Sequence, residues 1–223
     1  MIKILILHLV AAANLSLGFF IFFRDRNSKV HRWYLGLAVA ITAWSLTLAY
    51  AFYFGGNIYS HFSQKIGCIT GFFIALFFLL FAREFLYPVK FISNFFIITY
   101  LIIIGFFVYL VFFTQLFVLD TFMKEGIIYT TFDSFWYIIW ATMLSIPFIV
   151  GLFILQKKLR ASDGVIRRRL YIMLSFVLVA VMGGMLFDVI LVYWNNYQFD
   201  YIAPVFSIFL MYPMAHMIFI SKR

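Results

Sequence analysis

Seven apolar segments, each close to twenty residues long, limit what this chain can become. They span roughly 2–23, 33–54, 66–82, 95–113, 134–155, 170–193 and 202–220. A bilayer core is about 30 Å thick, and a helix crosses it with about 20 residues. Lipid offers no partner to backbone N–H and C=O groups, so each span must satisfy its own. A closed barrel would need strands of about ten residues with alternating polarity. Runs such as Phe77-Phe78-Leu79-Leu80 and Ile102-Ile103-Ile104 do not alternate. The expected fold is therefore all-α and integral to the membrane: one seven-helix transmembrane bundle covering 1–223. Charged residues make up 11% of the chain, against about 25% in an ordinary globular domain, so little is left to build a soluble one.

The basic residues give this bundle a direction. Of 17 Lys and Arg residues, only Lys3, Lys65 and Lys124 fall on one side of the pattern. The other side takes Arg24, Arg26, Lys29 and Arg32, then Arg83 and Lys90, then Lys157, Lys158, Arg160, Arg167, Arg168 and Arg169, and finally Lys222 and Arg223. Short loops rich in Lys and Arg stay cytoplasmic. The N-terminus is therefore expected outside and the C-terminus in the cytoplasm, in a multi-pass protein of a cell's inner (cytoplasmic) membrane. The net charge of +9 lies where anionic lipid head groups attract juxtamembrane cations, which makes the bilayer the partner and not nucleic acid. The stretch 156–169 reads as a cytoplasmic basic loop.

Local signals refine this picture. Lys3 and Ala11-Ala12-Ala13 resemble a cleavable leader. The apolar run continues to Phe23, however, and meets Arg24 and Arg26 at once, so the segment reads as a retained first helix. Trp33, Tyr34, Tyr53, Tyr87, Trp136, Tyr193, Trp194 and Tyr201 gather near segment ends, as interfacial anchors do. Pro147, Pro204 and Pro213 read as bends within helices five and seven. Gly67 and Gly71, and the pair Gly183-Gly184, permit close helix approach. Between the fourth and fifth segments, Leu116-Phe117-Val118-Leu119 and Ile127-Ile128-Tyr129-Thr130-Thr131 flank Lys124-Glu125-Gly126. That pattern predicts a β-hairpin lying over the outer mouth of the bundle, with a short interfacial helix as the alternative.

Catalytic patterns are missing. His8, His31, His61 and His216 sit on four segments, and none is followed by an acid. Nucleotide-binding glycine loops and zinc-protease spacings are lacking, and a lone Cys68 allows neither an intramolecular disulfide nor a cysteine cluster. No lysine in 202–220 is available to form a retinal Schiff base. The reading is a non-enzymatic chain without a cofactor. Asp188 is the one acid well inside a segment, and an ionised acid at mid-helix costs about 2.5–3.5 kcal/mol on insertion scales. It should face the bundle interior, as interhelical glue or as the floor of an outward pocket. Residues at similar depth extend the candidate ligand-binding set to Asp188, His8, Tyr50, Trp136 and Ser207.

Several stretches together resemble the N-terminal seven-transmembrane sensor region of bacterial histidine kinases and related signalling proteins. Asn14-Leu15-Ser16-Leu17-Gly18-Phe19-Phe20 through Arg24 is similar to its opening, and Ala43-Trp44-Ser45-Leu46 to its second helix. Arg167-Arg168-Arg169-Leu170 followed by Gly183-Gly184-Met185-Leu186-Phe187-Asp188 resembles its sixth helix. Met211-Tyr212-Pro213-Met214-Ala215-His216, running into Lys222-Arg223, is similar to its close. The resemblance implies a sensory input module of a two-component or related system. It also implies a cytoplasmic signalling partner, a kinase, cyclase or PAS-containing domain, which these residues do not supply, and it allows a homodimer. A small transporter and a structural subunit of a membrane complex are the competing expectations. Uptake that depends on Asp188 would mark the first, and tolerance of Asp188→Asn and His8→Ala the second.

Overall fold

Six of the seven long helices close into a ring, and the remaining one lies outside it. The computed structural model describes residues 1–88 and 94–220. Helix 1 is Ile2–Arg24, helix 2 Lys29–Phe54, helix 3 Ile58–Glu84, helix 4 Asn94–Phe113 and helix 5 Ser134–Arg160. Helix 6 runs from Gly164 to Tyr193, and helix 7 is Ala203–Ile220. All seven are long and apolar enough to cross a membrane. Around the ring each helix touches the next in the order 1, 2, 3, 5, 6, 7 and back to 1, while helix 4 packs on the outer side of helix 3. Of the basic residues, Lys90, Lys222 and Arg223 lie outside the described residues.

The helices extend past the apolar segments that announce them. Helix 3 begins at Ile58, eight residues before the apolar run, because Asn57 accepts hydrogen bonds from the Tyr59 and Ser60 backbone amides. Such a cap satisfies amides that have no partner inside the helix. Asp133 does the same for helix 5 through the Trp136 amide. The expected basic loop 156–169 is consequently helical for most of its length. Lys157, Lys158 and Arg160 end helix 5, Arg167, Arg168 and Arg169 belong to helix 6, and only 161–163 connect them. Pro204 falls in the first turn of helix 7, where its missing N–H would have no partner anyway, and so is not the bend expected of it.

Between helices 4 and 5 the predicted hairpin is present. β1 (Val118–Lys124) pairs antiparallel with β2 (Ile127–Phe132), with a bulge between Val118 and Asp120. Glu125 and Gly126 both take positive φ, 52° and 73°, which makes the tight turn whose twist suits a hairpin. The hairpin is seated on the bundle. A Cβ on Gly56, itself at φ +82°, would come within 2.3 Å of the Met123 amide nitrogen. Ile128 is buried against Leu7, Leu48 and Phe52, and the Tyr197 hydroxyl donates to the Thr130 carbonyl.

Lipid tails are as apolar as leucine, so helices in a membrane associate through close packing and interhelical hydrogen bonds. Both are visible. The Trp140 indole N–H donates to the Cys68 carbonyl at 3.1 Å, joining helix 5 to helix 3. The Asn14 amide donates to Ser207 at 2.7 Å, joining helices 1 and 7. Tyr34, expected as an interfacial anchor, is instead fully buried and donates to the Met211 carbonyl at 2.9 Å. Two apolar clusters result. One, including Ile21, Phe78, Phe81 and Met214, fills the end away from the hairpin; the other, including Phe72, Phe107, Phe117 and Trp140, fills the hairpin half.

Lys158 changes role altogether. It is 1% exposed, and its ammonium donates to the carbonyls of Ala82 (2.9 Å), Arg83 (3.0 Å), Tyr87 (2.7 Å) and Phe85. Helix 3 ends there, and its last carbonyls lack helical partners. A cation at a helix C-terminus also meets the negative end of the helix dipole. Lys158 thus plugs helix 3 from helix 5 and does not reach lipid head groups.

Candidate functional site

Helix 6 carries its one acid on an irregular turn. From Leu186 to Ile190 the helix widens by one residue, so that the Leu191 amide bonds back to the Leu186 carbonyl. Such π turns are rare and frequently occur at functional positions. The turn loosens the normal bonding of its carbonyls, and helix 5 answers it. The Tyr137 hydroxyl lies 3.0 Å from the Val189 carbonyl and 3.4 Å from that of Asp188. Among the described residues, no hydrogen bond or ion pair reaches the Asp188 carboxyl group.

Two cavities meet at this residue. The larger, about 70 Å³, lies at mid-bundle and is bordered by helices 2, 3, 5, 6 and 7; it is lined by Ile74, Leu144, Phe148, Ala180, Ser207 and other mostly apolar side chains. The smaller, about 40 Å³, lies toward the hairpin and is lined by Gln64, Cys68, Thr130, Tyr137, Trp140 and Asp200, among others. Trp44 and Asp188 border both. Since a water needs about 10–15 Å³, the larger cavity has room for several non-hydrogen atoms. Thr130 and Phe132 of β2 form part of the smaller cavity's wall, so the hairpin covers it.

Asp200 is a second acid in the site. It is 4% exposed, at the head of the short turn Asp200–Ile202 that leads into helix 7. One of its carboxyl oxygens accepts from the Tyr201 amide at 2.6 Å. Lys3 lies nearby, with its ammonium 5.0 Å from the ring centres of Phe52 and Tyr201, but makes no ion pair with it among the described residues. Tyr197, also on the cavity wall, sits in the connection before helix 7, where burial pushes its hydroxyl up to about 12.

Of the five residues predicted for a pocket, the structure brings Asp188 and Ser207 together on the larger cavity. It does not place the other three there. His8 donates through Nδ1–H to the Ile4 carbonyl of its own helix at 2.8 Å, and its ring meets Tyr50 edge-on at 6.4 Å on an exposed flank. Trp136 packs at a tilt against Phe106 of helix 4 and edge-on against its neighbour Phe135. The expectation for Gly183 and Gly67 is met inside the bundle. A Cβ on Gly183 would approach Phe206 to 2.4 Å, and one on Gly67 would lie 3.2 Å from the Thr47 hydroxyl.

Sequence reasoning passed over Asp200, Tyr137, Trp140 and Asn14. Asn14 did carry a signal, since it follows Leu7, Val10 and Ala11 at helical spacing on the buried face of helix 1. No group of three His, Cys, Asp or Glu side chains able to hold a metal ion occurs among the described residues. The arrangement suits binding at a pair of carboxyl groups inside an aromatic wall.

A family model described as the N-terminal 7TM region of histidine kinase matches residues 6–218. That match takes in the hairpin and all or most of each of the seven helices, and it concerns the membrane region of such kinases, not their catalytic part. No curated protein matches the chain significantly.

Proposed function

Because this chain belongs to the family of N-terminal 7TM regions of histidine kinases, we propose that it is the sensory input module of a bacterial signalling system. Its two cavities would be the input site and the hairpin its outer cover. The stimulus passes to a cytoplasmic kinase, cyclase or PAS-containing partner. The observation that carries this reading is Asp188, an unpaired acid on a π turn at the junction of two internal cavities. An ionisable residue inside a membrane is expensive to keep and usually serves a function. Merely structural glue would be expected to have a partner, whereas Ser207 and Asn14 show what glue looks like here.

Orientation supports the same assignment. Arg24, Arg26, Arg83 and the cluster from Lys157 to Arg169 lie away from the hairpin, so the positive-inside rule puts the hairpin outside. A transporter would need a route onward from the cavity. The opposite half is filled by Tyr34, Phe78, Phe81, Phe85 and their neighbours, all fully buried or nearly so. The test is a chimera joining a cytoplasmic kinase domain after Arg223. Asp188→Asn should change basal phosphorylation at least threefold, with the same amount of protein in the membrane. Unchanged output in that variant, and in Asp200→Asn, would refute the reading.

A further inference from the structure

We propose that the joined cavities bind a small primary ammonium ion carrying a short apolar tail, with its head between Asp188 and Asp200 and its tail toward helices 5 and 7. This rests on the sensor reading only for its consequence; the binding itself follows from the lining.

The two chambers differ in chemistry. The smaller holds both carboxyl groups, together with Gln64 and Thr130, and is walled by Trp44, Trp140 and Tyr137. The larger is apolar apart from Asp188, Ser207 and the Trp44 indole. A ligand that fills both must therefore be polar and positive at one end and apolar at the other. Aromatic faces attract a desolvated cation through their negative ring centres. Asp200 is 4% exposed, and no partner reaches its second carboxyl oxygen among the described residues; Asp188 has none on either. Enclosed carboxyl groups without a paired cation are costly to ionise, and Lys3, though near Asp200, pairs with neither acid among the described residues, so a cationic ligand would supply the counter-charge they lack.

Size and donor type narrow the class. At about 40 and 70 Å³ the chambers suit a head group and a chain of about three to five carbons. A bare metal ion would want a converging set of three or more hard or soft ligands, which the described residues do not form. Three N–H donors on a primary ammonium match two carboxyl groups and the Gln64 side-chain oxygen.

The full chain, purified in lipid nanodiscs, provides the test. Trp44 and Trp140 border the site, so intrinsic fluorescence is titrated with n-butylammonium chloride, n-butanol and sodium chloride at matched ionic strength. Butylammonium should give a saturable change that neither butanol nor sodium chloride reproduces. Asp188→Asn should weaken it at least tenfold and Asp200→Asn at least threefold. An equal response to butanol, or to sodium chloride, overturns the proposal on the unmodified protein, whether or not the variants fold. So does a titration that both variants leave unchanged. The kinase chimera separates the two readings. No amine binding, with output still sensitive to Asp188→Asn, sinks the ammonium site alone. Saturable binding, with output indifferent to butylammonium and to the variant, sinks the sensor reading and leaves the site.

Discussion

Replacing Lys158 by methionine, which keeps the length of the side chain and removes its charge, tests whether helix 3 depends on helix 5 for its ending. The ammonium has three N–H donors and four carbonyl acceptors within reach, those of Ala82, Arg83, Phe85 and Tyr87. Each buried acceptor left without a donor costs about 1–3 kcal/mol, so three lost bonds set an upper range of about 3–9 kcal/mol. Two effects reduce it. The ammonium no longer has to be desolvated, and replacing a buried ion by an apolar group of similar shape is often close to neutral. Carbonyls also tolerate a missing donor better than amides do. A net loss of about 2–3 kcal/mol is expected, which for a chain of this length lowers the thermal midpoint by roughly 4–12 °C. Thermal unfolding of the purified protein in detergent measures the drop. Hydrogen exchange should also quicken at residues 82–87 while the amides of helix 1 stay protected. A midpoint within about 1 °C of the parent, together with unchanged exchange at helix 3, would refute the plug.

The two neighbouring glycines of helix 6 should answer alanine with opposite signs. Gly183→Ala meets Phe206 at 2.4 Å and should destabilise by about 1–3 kcal/mol, whereas nothing lies within 4 Å of a Cβ on Gly184. There alanine should be neutral or stabilising by up to about 1 kcal/mol, and equal midpoints for the two variants would be inconsistent with the packing described. Gly56→Ala combines a positive φ with a 2.3 Å approach to the Met123 amide nitrogen, so it should unseat the hairpin. Tryptic cleavage after Lys124 reads this, and a rate within twofold of the parent would count against it. Tyr197 has a folded value near 12, above its ordinary value of about 10. The stability tied to its neutral hydroxyl is therefore complete below about pH 10 and is lost as pH rises through 12. Alkaline unfolding of Tyr197→Phe should lack that portion of the fall, and superimposable curves would exclude it.

The spans were legible because hydropathy reports directly on contact with lipid. It reports less well on helix length. Residues 58–65 contain Ser60, His61, Gln64 and Lys65, and so look like a loop, yet the Asn57 cap makes them helical. Hairpin residues were legible too, since β-rich runs around Glu125-Gly126 have few other uses. Of the five residues expected at one depth, only Asp188 and Ser207 line a common cavity. Depth follows from counting residues along a helix, while direction depends on which face its neighbours cover. His8 lies beside buried Leu7 and yet turns away from the interior, and Trp136, beside buried Tyr137, is half-buried toward helix 4 and lines neither cavity. Asp200 was invisible for another reason. It falls beyond an apolar boundary, where sequence implies solvent, and only the walls around the smaller cavity bury it. Lys158 was masked by its company, being one of six basic residues with nothing local to distinguish it.

The position of Asp188 also decides which element a stimulus can move. Helix 3, the most enclosed, has 67% of its apolar window buried and is held by the Lys158 plug and the Trp140 bond. Helix 6 has 28% buried, the lowest value among the helices that line the cavities. It also contains the one π turn among the described residues, where the regular ladder of backbone bonds is already interrupted. A change of charge or contact at Asp188 therefore acts on the least anchored wall, at the turn least able to resist it. Helix 7 is the next wall, because Gly183 lets helix 6 approach it closely through Phe206. Helix 7 is tied in turn to helix 1 through Ser207 and to helix 2 through Met211. A differential contact at the cavity can bias two arrangements of helices 6 and 7 while helices 1, 2 and 3 stay fixed, which is the condition for a ligand to shift a population. In this geometry the stimulus would register as movement of helix 6 against helix 7, so distance measurements between spin labels on those two helices should change with site occupancy. Labels on helices 2 and 3 should not move, and a change of equal size there would show that the frame does not hold.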